Sequence, residues 1–189
     1  MKTTNPVVLR DSRAWWEAVK QDPAALRAWL QDQYRGEATA SGRIEMLRDA
    51  FAAEGSRAHR ILGIIAEQER RHAVWVGDLL TARGIAPTLG TKRERYWKET
   101  LGAVRDLETG CAVGAHSERM RLERIEAIAA DPGAPPDVRE VFQRILPEER
   151  FHARAFAELA TTETSWFVCS SSKSSSRSTR ASGSVCPST

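Results

Sequence analysis

The chain has 189 residues, of which 41% are hydrophobic and 28% are charged, an ordinary composition for a globular protein with one core-forming domain. Of the formal net charge of +3, residues 162–189 carry +2, which leaves +1 for residues 1–161. Because the core-forming part is nearly neutral, we expect no nucleic-acid partner.

The cysteines and the N-terminal residues exclude further classes of protein. Cys111, Cys169 and Cys186 form no C-x-x-C pair, so a rubredoxin-type or zinc-ribbon site is excluded. The apolar run at residues 6–9 is too short for a signal peptide or a membrane span. We therefore expect a cytoplasmic protein with no membrane partner.

Helical periodicity and helix-breaking residues divide the chain into segments. Residues 1–23 are predicted to form an extended lead-in and a short helix from about residue 12 to residue 21. Long amphipathic helices are predicted over about 24–53, 57–83, 91–130 and 137–160. Since the connections are short enough for antiparallel packing, the predicted fold is all-α, an antiparallel four-helix bundle over residues 24–161.

The composition changes abruptly after about residue 162. Residues 162–189 contain eleven serines, and they cannot bury enough apolar surface to offset the loss of chain entropy on folding. We therefore predict a disordered, Ser-rich C-terminal tail, in which only the apolar residues 166–168 are suited to docking on the bundle.

On the second and fourth long helices, a Glu and a His interrupt the apolar face. Glu69 and His72 are three residues apart, as are Glu149 and His152. Positions i and i+3 lie on one face of a helix, so each pair points in the same direction as the apolar residues around it. A neighbouring acid, Glu148, is expected to point away and to be solvated or paired with an arginine.

An internal repeat relates the two pairs. The fourth helix repeats the second at an offset of 80, and the third repeats the first at an offset of 81, which aligns Glu37 with Glu118. The separation from Glu37 to Glu69 is 32 residues and that from Glu118 to Glu149 is 31, so antiparallel helices bring each lone Glu level with a Glu-x-x-His. Four carboxylates and two imidazoles are therefore predicted to converge in the middle of the bundle.

This convergence predicts a metal site. Four carboxylates in an apolar core repel one another and cannot all ionise unless cations neutralise them. Four Glu and two His suit iron, or alternatively manganese, better than metals that seek thiolates. The sequence thus predicts two metal ions, held by Glu37, Glu69, His72, Glu118, Glu149 and His152.

The wording of these motifs is specific. Residues 65–73 (IAEQERRHA) and 148–152 (EERFH) are similar to rubrerythrin-type sequences of the ferritin-like superfamily, and the resemblance covers residues 24–160. It implies that Glu69 and Glu149 bridge two metals. It also implies that one metal is completed by Glu37 with His72 and the other by Glu118 with His152.

This chain differs from rubrerythrin-type sequences at two positions and in the lack of one module. Rubrerythrins generally carry a further Glu one turn after the ligand on the third helix, where this chain has Arg121, and a rubredoxin module is missing. Both departures weigh against peroxide reduction of the rubrerythrin kind. Pro147 lies two residues before Glu149 and is predicted to introduce a kink or a π-bulge that changes the aim of this carboxylate.

Tyr34 is a further candidate, because it lies one turn before Glu37 on the same predicted face. Two interpretations remain open. The tyrosine assists catalysis by hydrogen bonding to a ligand or by electron transfer, or it is a core residue with a satisfied hydroxyl.

The first functional hypothesis is a homodimeric di-iron or iron/manganese carboxylate oxidoreductase, which activates O2 or peroxide with electrons from an unknown reductant. The alternative is a ferritin-like iron-binding or storage protein with ferroxidase activity, and storage requires a cage or a host shell. A third hypothesis is a scaffold bundle whose tail binds a partner. The alternative to a di-metal site is a bundle that has lost its metal and keeps these residues in hydrogen-bonded pairs.

Overall fold

The computed structural model describes residues 11–90, 102 and 104–172, and for residues 162–172 it describes the backbone alone. The helices are α1 (Ser12–Gln21), α2 (Pro23–Phe51), α3 (Arg57–Thr81), α4 (Leu107–Ala129) and α5 (Pro136–Ser172). Over the described residues there is no strand, which confirms the predicted all-α fold class. None of the helices in this part of the chain is both long and apolar enough to cross a lipid bilayer.

The first four helices begin where a polar side chain caps the backbone. In each case the side chain accepts a hydrogen bond from an N–H group of the first turn, and this offsets part of the polar backbone left unpaired at a helix start. The capping residues are Asp11, Asp22, Ser56 and Asp106. The starts of these helices are therefore set by local sequence.

The long helices form two hairpins. α2 packs along α3 and α4 packs along α5, and the two hairpins meet chiefly where α3 contacts α5. α1 lies against α2 and α4, and its Trp16 is buried beside Trp29 of α2. The Trp16 indole N–H donates to Asp131 Oδ2 at 2.8 Å, so the short N-terminal helix is fixed by both packing and a hydrogen bond.

The apolar core consists of two clusters, one on each side of a polar layer. Buried members of the first cluster include Leu30, Val76, Ile125 and Phe142, one from each long helix. Buried members of the second include Ile44, Ile65, Cys111 and Phe156, again one from each long helix. On every long helix the buried Glu and His residues lie in sequence between these members, so the polar layer is enclosed by apolar packing at both ends.

Two helix limits differ from the sequence prediction. α4 begins at Leu107 rather than near residue 91, because Asp106 caps it and residues 104–106 are not helical. α5 continues to Ser172, although disorder was predicted from residue 162, and no Gly or Pro interrupts residues 148–172.

Parts of three sequence predictions lie outside the described residues. They are the extended lead-in over residues 1–10, the helical assignment of residues 91–101, and the disordered tail over residues 173–189. The division of the chain at residues 23 and 161 stays a prediction.

The buried core predicts a matched pair of stability effects on α3. Ile65 is 0% exposed, whereas its neighbour Ile64 is 51% exposed. Ile65→Ala is expected to lower the free energy of unfolding by about 2–5 kcal/mol, since it removes buried contacts and leaves a cavity. Ile64→Ala is expected to change it by only about 0.5 kcal/mol. Chemical denaturation of both variants checks this, and equal losses would contradict the packing described here.

Candidate metal centre

The six residues predicted from the repeat all come together in the polar layer. All are buried, and they form two groups whose ligand atoms lie within 4.8 Å of one another. One group is Glu37, Glu69, His72 and Glu149, and the other is Glu69, Glu118, Glu149 and His152. Two carboxylates, Glu69 and Glu149, belong to both groups. The geometry is that of two adjacent sites with a shared pair of acids.

The inward-facing atoms of this cluster lack hydrogen-bond partners within the described part of the chain. They are Glu37 Oε2, both carboxylate oxygens of Glu69 and of Glu149, Glu118 Oε2, and the Nδ1 atoms of His72 and His152. A buried polar atom without a partner costs about 1–3 kcal/mol, so a set of eight at one place requires compensation. Carboxylate oxygens and imidazole nitrogens that converge in this way fit a metal site.

The outer nitrogens of the two histidines are held by side chains from neighbouring helices. His72 Nε2 lies 2.9 Å from Glu148 Oε2, and His152 Nε2 lies 2.9 Å from Gln68 Oε1. Since both partners offer an acceptor oxygen, each histidine donates through Nε2–H and turns Nδ1 towards the cluster. Such outer contacts fix the ring orientation and tautomer of a metal-ligating histidine.

The sequence interpretation of Glu148 was incomplete. Its carboxylate does pair with an arginine, Arg71, at 2.9 Å, but its other oxygen holds His72. The role of Gln68 was not recognised at all. The signal was present in the repeat, because Gln68 and Glu148 are themselves separated by the offset of 80, and each immediately precedes a Glu-x-x-His.

A cation of the chain itself lies among the carboxylates. The Arg121 guanidinium contacts Glu37, which also accepts a hydrogen bond from Gln33 on the same oxygen. Its Nη1 lies 3.9 Å from Glu69 Oε1 and 3.8 Å from Glu118 Oε2. Its Nη2 lies 3.8 Å from Glu149 Oε1, so one guanidinium faces all four acids of the cluster. The sequence had shown Arg121 only as a departure from a family pattern.

The four carboxylates differ in acidity. Burial opposes ionisation of Glu37 and Glu149, yet the Arg121 charge holds the pKa of Glu37 well below its usual range and contributes to lowering that of Glu149 to about 2. Burial raises the pKa of Glu69 well above normal, and the negative charge of Glu37 adds to this effect. Burial, with the charge of Glu149, also raises the pKa of Glu118. Burial and the neighbouring charges thus favour the protonated form of Glu69 and Glu118 and the ionised form of Glu37 and Glu149.

The two histidines also differ. Burial opposes protonation of His72, but contacts with Glu149 and Glu37 outweigh it and raise its pKa to about 10. Burial lowers the pKa of His152 to about 4. Their Nδ1 atoms lie 3.2 Å from Glu149 Oε1 and 3.4 Å from Glu69 Oε1, respectively. His72 is therefore the charged histidine of the pair and His152 the neutral one.

Pro147 does not divert the cluster residues that follow it. α5 remains α-helical through Pro147 without a π-bulge, and both Glu149 and His152 are buried in the cluster. Pro147 and Gln143, one turn earlier, are both exposed, so the carbonyl that proline leaves without a helical partner is on the solvent side of the helix. The predicted π-bulge is therefore wrong, Glu149 still reaches both ligand groups, and a kink at Pro147 stays a prediction.

Tyr34 lies near the cluster in sequence but packs away from it. Its ring joins the first apolar cluster and borders Gly77 of α3, where an added Cβ would lie 3.4 Å from the ring. None of the described residues hydrogen-bonds its hydroxyl. The position of the ring agrees with a core tyrosine, but the satisfied hydroxyl of that interpretation is not found among the described residues. A catalytic role for Tyr34 stays a prediction.

A cavity of about 520 Å³ between α2 and α4 reaches the cluster from the outside of the bundle. Its wall is mainly apolar, with Ala40, Ile44 and Leu47 on α2. Glu118 and Arg121 of the cluster also line it. The cavity gives small molecules a route to one side of the cluster.

The fold and the cluster together define a ferritin-like protein with a carboxylate and histidine cluster that fits a metal site. Residues 29–160 match the rubrerythrin family model, and the chain belongs to the rubrerythrin family. Its fold is similar to that of a solved structure described as a dodecameric thioferritin, the bacterioferritin-related protein from Bacteroides fragilis. The TM-score is 0.61 at 18% identity, with 89% of this chain and 100% of that chain covered. A comparison with curated proteins gave no match.

Glu148 and Gln68 are expected to affect metal affinity although they belong to neither ligand group, because they hold the outer nitrogens of the two histidines. Glu148→Ala and Gln68→Ala are each expected to weaken metal binding about 10- to 100-fold, because the corresponding histidine loses the contact that orients it. Glu67→Ala is the matched control, since Glu67 pairs with Arg70 at the surface of the same helix as Gln68. Competition titration against a chelator measures the three affinities. Equal affinities of all three variants would contradict the orienting role of Glu148 and Gln68.

The protonation pattern predicts that metal binding releases protons. Glu69 and Glu118, whose pKa values are raised, and His72, whose pKa is raised to about 10, must lose protons to bind metal. The affinity for Zn(II) is therefore expected to increase with pH between about pH 6 and pH 8. Calorimetry in buffers of different ionisation enthalpy measures the released protons directly. An affinity that is constant or falls with rising pH would contradict this assignment.

Proposed function

We propose that the protein is a di-iron carboxylate oxidoreductase, which activates O2 or peroxide at a centre held by the six clustered residues. The observation that supports this most directly is the pair of overlapping ligand groups that share Glu69 and Glu149. A single ion would not need two histidines on opposite sides of two shared acids. Manganese, alone or with iron, is compatible with the same ligand atoms.

The proposed role of each residue follows from its position. Glu69 and Glu149 stand between the two groups and are the bridging acids. Glu37 and His72 belong to one group, and Glu118 and His152 to the other. Two iron ions bound here would supply the electrons that reduce O2 or peroxide. The chain holds the donor atoms in place and surrounds them with apolar packing that limits access of water.

The α2–α4 cavity supports a reaction with a small diffusible molecule. It opens beside Glu118, so an oxidant has a path to one side of the cluster without unfolding of the bundle. Its apolar wall favours a neutral oxidant such as O2 over an anion. A reductant that donates electrons from outside the bundle completes the proposed reaction, and a homodimer is the proposed assembly.

The alternative is iron storage, with oxidation of Fe(II) at the same cluster as its first step. The similarity in fold to the dodecameric thioferritin of Bacteroides fragilis favours this candidate. Storage requires a closed shell around a mineral core, and the enzyme proposed above does not. Light scattering of the purified protein distinguishes them, since a dimer supports the enzyme and a dodecamer-sized hollow particle supports storage.

Removal of one acid tests the proposed centre. Glu37→Ala is expected to decrease the bound iron and to abolish O2- or peroxide-dependent oxidation, because one ligand group loses its only unshared acid. Glu45→Ala is the control, since Glu45 lies on the same helix and pairs with Arg70 outside the cluster. The readouts are iron content and the absorption change when oxidant is added to the Fe(II) form. Full activity in protein that holds no iron would overturn the proposal.

A further inference from the structure

The guanidinium of Arg121 is the one feature of the cluster that a metal site of this ligand set does not need. It contacts Glu37 and lies within 3.9 Å of an oxygen of each of the other three acids. An arginine side chain stays protonated under all ordinary conditions, so it brings a permanent positive charge to the cluster. Arg121 thus occupies the electrostatic position that a metal ion would take.

Arg121 and a metal ion compete for the same carboxylates, because both are positively charged. Metal binding requires the four carboxylates to be ionised, and two divalent ions neutralise their four negative charges completely. With Arg121 in place the cluster is partly neutralised before any metal enters, and a bound ion is then repelled by a fixed cation a few ångströms away. The attraction between the acids and an incoming metal is therefore weaker than the ligand set alone would give.

The surroundings of Arg121 give the side chain room to leave. It lines the α2–α4 cavity, and its side chain is 25% exposed although its Nη2 atom is buried, whereas the side chains of Glu37, Glu69 and Glu149 are 0% exposed. Rotation of the side chain towards the cavity would carry the guanidinium to solvent while the backbone of α4 stays in place. Rehydration of the charged group offsets the ion pairs that it gives up.

We propose that Arg121 is a displaceable counter-cation, which stabilises the cluster in the absence of metal and which metal must move aside in order to bind. The proposal rests on the proposed function in one respect, that the cluster binds metal at all. It adds that the chain sets a threshold for loading. Metal binds only when its free concentration is high enough to overcome the competition from Arg121.

Affinities for Zn(II), which is not redox-active, test the competition in three variants and the natural protein. Arg121→Gln removes the charge and is expected to bind Zn(II) at least tenfold more tightly. Arg121→Lys keeps a charge and is expected to stay close to the natural affinity. Arg119→Gln, the matched control, removes a charge from an exposed position of the same helix, where the arginine contacts His116. Its affinity is expected to be unchanged.

The outcomes separate this inference from the proposed function. If the natural protein binds Zn(II) and Arg121→Gln binds it equally or more weakly, the inference is wrong and the metal site stands. If neither the natural protein nor Arg121→Gln binds Zn(II), both the inference and the proposed function are contradicted. If only Arg121→Gln binds, the inference is supported and the proposed function of the natural protein is contradicted, because Arg121 then replaces the metal altogether.

A second measurement uses the natural protein and does not depend on the folding of any variant. Crystals grown with and without Zn(II) show the position of the guanidinium in each state. We expect contact with Glu37 in the metal-free crystals and a guanidinium turned into the α2–α4 cavity in the loaded ones. A guanidinium that remains on Glu37 beside two bound ions would overturn the inference.

Discussion

The structure depends on how four buried carboxylates are neutralised. Charges removed from water are very costly unless they are paired, and these four lie in the middle of a helical bundle. Every long helix contributes to them, so the bundle cannot form without bringing the acids together. The two apolar clusters on either side supply the packing that holds the helices in register, and the Arg121 guanidinium places a positive charge beside all four acids.

The polar atoms of the cluster form two sets, one that faces outward and one that faces inward. Outward-facing atoms are satisfied, as shown by His72 Nε2 on Glu148 and by His152 Nε2 on Gln68. Inward-facing atoms are left without hydrogen-bond partners in the described residues. The outward-facing atoms fix the orientation of the side chains, and the inward-facing atoms are available to a cation. Arg121 places a positive charge within 3.9 Å of an oxygen of each of the four acids.

The sequence predicted the six cluster residues because its signal is periodic. Glu37 and Glu118 were found through the repeat and Glu69 through helical spacing, since both depend only on positions along the chain. Contacts between helices are not encoded by spacing alone, and the roles of Gln68 and Arg121 depend on which side chain faces them across the bundle. The predicted start of α4 was wrong for a related reason. α4 begins at Leu107 because the side chain of Asp106 caps it, and the apolar periodicity used for the prediction does not mark that position.

Iron-edge anomalous diffraction from crystals loaded with excess Fe(II) without oxygen tests the central claim most directly. The account predicts two peaks flanked by the shared acids Glu69 and Glu149, one beside His72 Nδ1 and the other beside His152 Nδ1. Iron found only at the surface of fully loaded crystals, with the cluster still neutralised by Arg121 and by its own protons, would contradict the account.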